Sequence, residues 1–483
     1  MKHSTAWALF VGVVVAIAWG AFAFAAVYPW AYLPLALVCA TVGIGGLSLG
    51  VAGRPPIAWV ALGFALVAVG ISFQLVPLPR PLLVTLSPGT DAFLRQQDFG
   101  YLFNPSTWRP ISIAPQQTLV GLMLFVALAL FCLGVARIAS SVGAQVLVTA
   151  IAVIGVVLVL VGVAQLAAYP APTPNDPTFI YGVWRPQYFS FPFGPFINRN
   201  HFAGWMLMAS PLVLGIFFDA LFHTLDEAAA RGRSLALLNS PNVGILITTG
   251  TTTIVMAASI ALTRSRAGIV AFAVMSLPLV WVVFRRQLTL GRRLTIVACF
   301  SALVLGSALW IGFGTVTEKF TSDEQATSSL GGRVPIWRDT LHIASDFRLT
   351  GSGLDTYGTA MIAYQTVATN VHFMEAHNDY LQLAAEGGTL LVVPTIFLLG
   401  AFAVSVAQRF REAPKSGRTY WIRVGAIVGM IAIAAQTVFE FSLQMPGNAA
   451  LFAVLCGIAL HRSPRLQVGH AHRRGERHGH AVS

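Results

Sequence analysis

Long apolar runs recur along the chain, separated by short polar joints, the pattern of a polypeptide that crosses a bilayer many times. A crossing helix needs about 20 apolar residues. Twelve segments qualify: 6–27, 33–52, 57–77, 117–136, 145–168, 202–222, 243–262, 267–284, 294–313, 388–407, 424–441 and 447–461. The pattern predicts an all-α polytopic membrane protein of about twelve transmembrane helices. The apolar run after Met1-Lys2-His3 resembles a signal peptide. No small-x-small cleavage site precedes a polar start, so it is read as a retained first span. Spans seven and eight are split only by Thr263-Arg264-Ser265-Arg266, and the last two meet at Met445-Pro446-Gly447-Asn448.

Composition supports that reading. Hydrophobic residues make up 56% of the chain and charged residues 10%, against roughly 25% charged in an ordinary soluble domain; mean hydropathy is +0.73. Soluble, disordered and coiled-coil classes are excluded. The net charge of +12 is a topology signal rather than a nucleic-acid footprint. With twelve spans, nineteen of the thirty Lys and Arg fall on the side of the N-terminus and eleven on the other. The positive-inside rule then places both termini in the cytoplasm. The basic, His-rich residues 462–483 read as a disordered cytoplasmic tail. Cys39, Cys132, Cys299 and Cys456 all lie in apolar stretches, which argues against disulfides or a thiolate metal site.

Polar residues concentrate on the outer side, in segments 78–116, 169–201 and 314–387. The expected organisation is a bundle over 1–313, an extracytoplasmic loop over 314–387 and closing spans over 388–461. Loops beyond about 15 residues are usually functional or disordered, and the third segment carries helical patterns. Ile336, Trp337, Thr340, Leu341 and Ala344 form a stripe suited to a membrane interface. A second pattern starts near His377, and Glu386-Gly387-Gly388 suits a helix stop.

Four clusters stand on that side. In Phe196-Ile197-Asn198-Arg199-Asn200-His201, either asparagine suits a helix cap, leaving Arg199 and His201 at the membrane edge. Arg264 and Arg266 sit where the positive-inside rule disfavours them, and their forked donors suit phosphate; snorkelling to headgroups is the alternative. Arg333 and Arg338 flank Trp337, five residues apart and so not on one helical face. His377, followed by Asn378 and Asp379, falls at a helix start, where the macrodipole disfavours imidazolium; a neutral imidazole there suits a general base or merely a cap. No Walker loop, zinc-ligand spacing or nucleophile elbow occurs. Ionisable residues are nearly absent from mid-span, where ion-coupled transporters usually place them.

These clusters, in this order, resemble the O-antigen ligase and polymerase family of bacterial envelope glycan assembly. The matching phrases are Asn198-Arg199-Asn200-His201-Phe202-Ala203-Gly204, Leu262-Thr263-Arg264-Ser265-Arg266-Ala267-Gly268, and Gly332-Arg333 through Trp337-Arg338-Asp339. They continue with Leu349-Thr350-Gly351-Ser352-Gly353, Ala376-His377-Asn378-Asp379-Tyr380-Leu381, Glu440-Phe441-Ser442 and Pro446-Gly447-Asn448-Ala449. The resemblance spans residues 110–460, with Ala267 where the family often has glycine. It implies a GT-C-like, inverting, metal-independent glycosyltransferase without cofactor in the bacterial inner membrane. The implied donor is an undecaprenyl-diphosphate-linked glycan. The acceptor is lipid A-core for a ligase, or a second lipid-linked glycan for an O-antigen or exopolysaccharide polymerase. The family's catalytic arginines map onto Arg266 and Arg333 and its general base onto His377. Arg264, Arg338, Arg199, His201, Asn378 and Asp379 become substrate-binding candidates. Membrane lipids are the remaining partners; nucleic acid is not one. An anion transporter and a non-catalytic scaffold are the competing classes.

Overall fold

The computed structural model describes residues 2–49, 57–104, 106–169, 179–186, 191–231, 242–284, 333–366, 372–412 and 417–462. Among them the secondary structure is helical, with isolated β-bridges and no strand. Nine helices are long and apolar enough to cross a membrane. They are α1 (Lys2–Phe22), α2 (Pro29–Ser48), α3 (Ile57–Gln74), α7 (Pro115–Val142), α8 (Ala144–Ala168), α9 (Arg199–Arg231), α10 (Val243–Leu262), α14 (Asp379–Glu412) and α15 (Arg418–Gln436). Two further apolar helices, α11 (Arg266–Phe284) and α16 (Pro446–Leu460), also stand where spans are predicted. The predicted span 294–313 and the tail beyond residue 462 lie outside the described residues.

The bundle is organised around α9. Its apolar window is 89% buried, against 17% for α14, because α9 is apolar on every side. Phe202, Trp205, Met206, Met208 and Leu212 all sit in the core. Elsewhere small residues set the spacing: a Cβ on Gly46 of α2 would lie 2.6 Å from the Gly134 carbonyl oxygen of α7, the close backbone approach that membrane helices use.

The two ends of the bundle differ in chemistry. At one end Arg418 pairs with Asp219 at 2.9 Å and donates to Gln145, and the Arg462 amide donates to Ser140. There the buried Arg423 donates to the carbonyls of Ala459, Arg409 and His461, and Arg409 donates to Leu460. These bonds satisfy carbonyls that the end of α16 leaves without intrahelical partners. The residues meeting there are ones the charge count assigns to a single side.

The opposite end carries short helices: α4 (Arg80–Leu86), α5 (Pro88–Gln97), α6 (Phe99–Phe103), α12 (Arg333–Asp346) and α13 (Tyr357–Tyr364). Gln74, at the end of α3, ties this layer together. Its side-chain nitrogen donates to the carbonyls of Thr350 and Glu386, and its oxygen accepts from the Leu354 amide.

One local expectation is corrected here. The stripe of α12 faces protein rather than a membrane surface. Ile336, Thr340 and Ile343 pack with Phe347, Tyr357 and Met361, and Leu341 is exposed. A helix lying under a protein layer shows the same amphipathic period as one lying on lipid. The Gly387-Gly388 pair does interrupt the helical run that begins at Asp379: Gly388 has non-helical backbone angles (φ 52°, ψ −160°), and a second helical stretch continues from there to Glu412 within α14. Carbonyl and amide groups released near the kink are matched across the chain: the Thr389 and Leu390 amides donate to Arg348 and Leu349, and the Ser352 and Gly353 amides donate to Ala385 and Glu386. The break at Gly388 thus separates two helical stretches at the position where the sequence pattern changes.

Candidate functional site

The first turn of α9 is the floor of the site. Asn198 is the residue that caps it, its side-chain oxygen accepting from the Asn200 amide at 2.9 Å. Asn200 is thereby released for longer-range contacts: its side-chain nitrogen donates to Glu440 Oε1 at 2.7 Å, and its carbonyl accepts from Gln436 at 2.8 Å. Asn448, at the start of α16, donates to the His201 carbonyl at 3.0 Å. Arg199 lies over the Phe191 ring, 4.8 Å from its centroid. A Cβ on Gly268 would sit 2.9 Å from the Ala203 Cβ, and one on Gly204 would sit 2.6 Å from Gln436 Oε1. The small residues of both motifs are what let α11 and α15 reach the start of α9.

At the α10–α11 junction, Ser265 caps α11 by accepting from the Gly268 amide at 3.1 Å, and Thr263 accepts from the Ser265 amide at 3.2 Å. Arg264, between them, adopts a left-handed backbone (φ 53°) and is exposed; Arg266 is the first helical residue and half-buried. Arg199 lies within the electrostatic fields of Arg264, Glu440 and Arg266. Two helix N-termini and three arginines thus converge, a setting with an excess of positive potential.

Glu440 sits beyond the end of α15. Arg333, the first residue of α12, donates from Nη2 to Glu440 Oε1 at 2.7 Å. His377 Nδ1 lies 3.7 Å from Glu440 Oε2, a contact longer than a hydrogen bond. Burial opposes ionisation of Glu440, but His377 beside it and the Arg333 charge outweigh burial and hold the carboxyl below the usual glutamate range. Its contribution to stability is therefore present above the ordinary glutamate pKa and is lost as the pH falls through the depressed value. The Phe441 ring stands edge-to-face between two imidazoles, 4.8 Å from His377 and 4.7 Å from His201.

The predicted residues fall into two groups. Arg333 and His377 meet on one carboxylate, and Arg199, Arg264 and Arg266 cluster electrostatically beside it. Arg338 points outward and is exposed, as its offset from Arg333 predicts. Asn378 is committed to capping α14, accepting from the Tyr380 and Leu381 amides at 3.0 Å each. Asp379 accepts from Gln444 at 2.7 Å. His201 is 5% exposed, behind Phe441. Glu440 and Asn200 are not among the predicted site residues, although both stand in phrases that carry the family resemblance. A further signal is that Glu440 is an isolated acid at a span end, where an ionisable residue calls for a partner. Among the described residues, no three His, Cys, Asp or Glu side chains gather as metal ligands do.

Glu375, two residues before His377, is pushed up to about 8, first by burial and then by Glu386, Asp355 and Asp379, against the opposing bond from Gln382. A carboxyl raised in the folded state favours folding fully below its unfolded pKa, and that contribution is lost as the pH rises through the folded value. Melting in detergent should therefore fall between pH 6 and pH 9, and Glu375→Gln should flatten that fall. An unchanged slope in the variant would assign the pH dependence elsewhere.

Residues 251–396 match a family model described as O-antigen ligase. The match takes in Arg264, Arg266, Arg333 and His377, whereas Arg199, Asn200 and Glu440, which complete the geometry, lie outside it. No curated protein matches the chain.

Proposed function

We propose, from the match of residues 251–396 to the O-antigen ligase family model, that the protein transfers a glycan from an undecaprenyl-diphosphate carrier to an acceptor hydroxyl at the periplasmic face of the bacterial inner membrane. The observation that carries this reading is the meeting of Arg333 and His377 on Glu440, beside the arginine-bearing starts of α9 and α11. A diphosphate leaving group needs positive charge where its own negative charge grows, and an acceptor hydroxyl needs a base on the opposite side of the sugar carbon.

In the proposed reaction, Arg266 and Arg333 hold the diphosphate, with Arg199 and Arg264 adding potential around it. His377 takes the proton of the acceptor hydroxyl as its oxygen bonds to the anomeric carbon. The carbon–oxygen bond to phosphate breaks at the same carbon, its electron pair leaves with the carrier diphosphate, and the configuration inverts. Glu440 faces the imidazolium that forms and stabilises it, as a carboxylate behind a catalytic imidazole does. The arginines handle the leaving-group charge, so no metal is required. The basic end of the bundle, with Arg409, Arg418, Arg423 and Arg462, supports a cytoplasmic location for that end and for both termini.

The acceptor we favour is lipid A-core, which makes the protein a ligase; a second carrier-linked glycan would make it a polymerase. Purified protein in vesicles with a carrier-linked glycan and either acceptor tests the reading. Transfer should occur, and Arg266→Ala, Arg333→Ala and His377→Ala should each abolish it at unchanged protein level. Full activity in the arginine variants would remove the diphosphate clamp. Envelope glycans of a deletion strain separate the two acceptors: bare core with long carrier-linked chains marks a ligase, and single repeats on core mark a polymerase. Solute uptake by vesicles lacking acceptor would instead indicate an anion transporter.

A further inference from the structure

His377 has a left-handed backbone, φ 51°. Histidine tolerates that region only at some cost, and such strain persists where the surroundings impose it. The surroundings here are specific. The carbonyl of Ala376, which lies in the peptide plane on one side of that φ rotation, accepts from Trp337 Nε1 at 3.0 Å. The Ala376 amide, one peptide earlier, donates to Gln382 Oε1 at 2.9 Å. On the far side of His377, Asn378 is pinned as the cap of α14, and the Asp379 amide donates to the Thr437 carbonyl at 3.1 Å.

Both clamping side chains are themselves held. Trp337 lies one helical turn after Arg333 on α12, and its ring packs 6.2 Å from that of Phe439, next to Glu440. Gln382 is buried, and its amide nitrogen faces Glu375 at 2.8 Å, Gln444 at 3.1 Å and Glu386 at 3.2 Å. One clamp therefore links the helix that carries the arginine to the residue before the base, and the other links the base's own helix back to the same residue.

We propose that Trp337 and Gln382 are positioning residues of the transfer reaction, gripping the Ala376 backbone from two sides so that His377 presents Nδ1 to Glu440 and keeps its other ring nitrogen for the acceptor. The inference rests on the glycan-transfer reading for its catalytic consequence, but not for its geometry. Trp337→Phe keeps the ring that packs on Phe439 and deletes only the N–H. Gln382→Met keeps the volume and deletes both polar atoms.

The experiment has two arms. In the vesicle transfer assay, each variant should lose about 10²-fold in kcat, the scale of an ångström-sized misplacement, with the donor KM little changed because the arginines remain. The double variant should be no worse than the weaker single, since both changes release the same residue, Ala376. In the second arm, His377, whose side chain is 29% exposed, is modified with diethyl pyrocarbonate and the rate is followed by peptide mass spectrometry, with His377→Ala as the blank. Both variants should change that rate severalfold while melting within a few degrees of wild type. Wild-type modification rates in both variants overturn the clamp whatever the activity. Altered modification with a wild-type protein inactive on lipid-linked glycans leaves the clamp standing and removes the transfer reading instead. A kcat loss that is matched by a fall in melting temperature and by no change in modification rate also overturns it.

Discussion

If the proposed transfer holds, Glu440→Gln should lower it by about 10²–10⁴-fold while the protein reaches the membrane at its usual level. The amide keeps the shape of the carboxylate and can still accept from Asn200, whose side-chain nitrogen lies 2.7 Å from Oε1. What disappears is the charge that Arg333 and His377 share. An imidazole that must become imidazolium in the transition state loses the anion that favours that form, and general-base catalysis of this kind contributes about 10²–10⁴-fold. Initial rates at saturating donor and acceptor, normalised to an immunoblot of the membrane fraction, measure the effect. Glu440→Asp separates charge from reach, since it keeps the carboxylate and draws it back by one methylene. Wild-type rates in the glutamine variant would mean that the carboxylate is structural and that His377 works without it.

The second large effect is on stability. Gly351→Ala destabilises the protein by about 3 kcal/mol or more and depletes it from the membrane. A Cβ at this position would lie 1.9 Å from the Glu386 carbonyl oxygen and 2.3 Å from its carbon, and the backbone is left-handed (φ +71°). The obstacle is main chain on both sides, so nothing flexible can give way. Gly143→Ala is the matched control: φ there is +94°, but nothing stands within 4 Å of the new atom. It should cost about 1–2 kcal/mol from backbone strain alone. Melting curves of both variants in detergent distinguish steric exclusion from conformational preference. Equal losses would show that the contact between residue 351 and α14 is looser than its geometry suggests.

The crossing helices are legible in the sequence because a lipid solvent imposes one strong rule, and each segment from α1 to α16 that obeys it is a continuous apolar run. The layer built from α4, α5, α12 and α13 obeys ordinary water-soluble rules instead. Its buried faces cannot be told from membrane-facing ones by period alone, and this is why Leu341 was assigned to a stripe that in fact turns it outward. The break at Gly388 is legible from its glycine pair, but the partners of the amides released there, Arg348 and Leu349, lie some 40 residues away and are not. Arg266, Arg333 and His377 could be nominated because their residue types are costly at a membrane edge. Glu440 could not be placed with them from pattern, since a lone acid announces a need for a partner without saying which. Asn378, adjacent to His377 in sequence, caps α14, and Asp379 accepts from Gln444.

The pairing of Arg333 with Glu440 joins residues 107 positions apart, and this has a consequence for biogenesis. A ribosome making about 5–20 residues per second reaches Glu440 on the order of ten seconds after Arg333 has emerged. The carboxylate arrives with the penultimate helix, α15, and only when that helix has docked on α9. Until then Arg333 lacks the carboxylate it pairs with in the folded protein. The proposed site is thus incomplete until the Glu440 segment has been made, after most of the chain has been inserted.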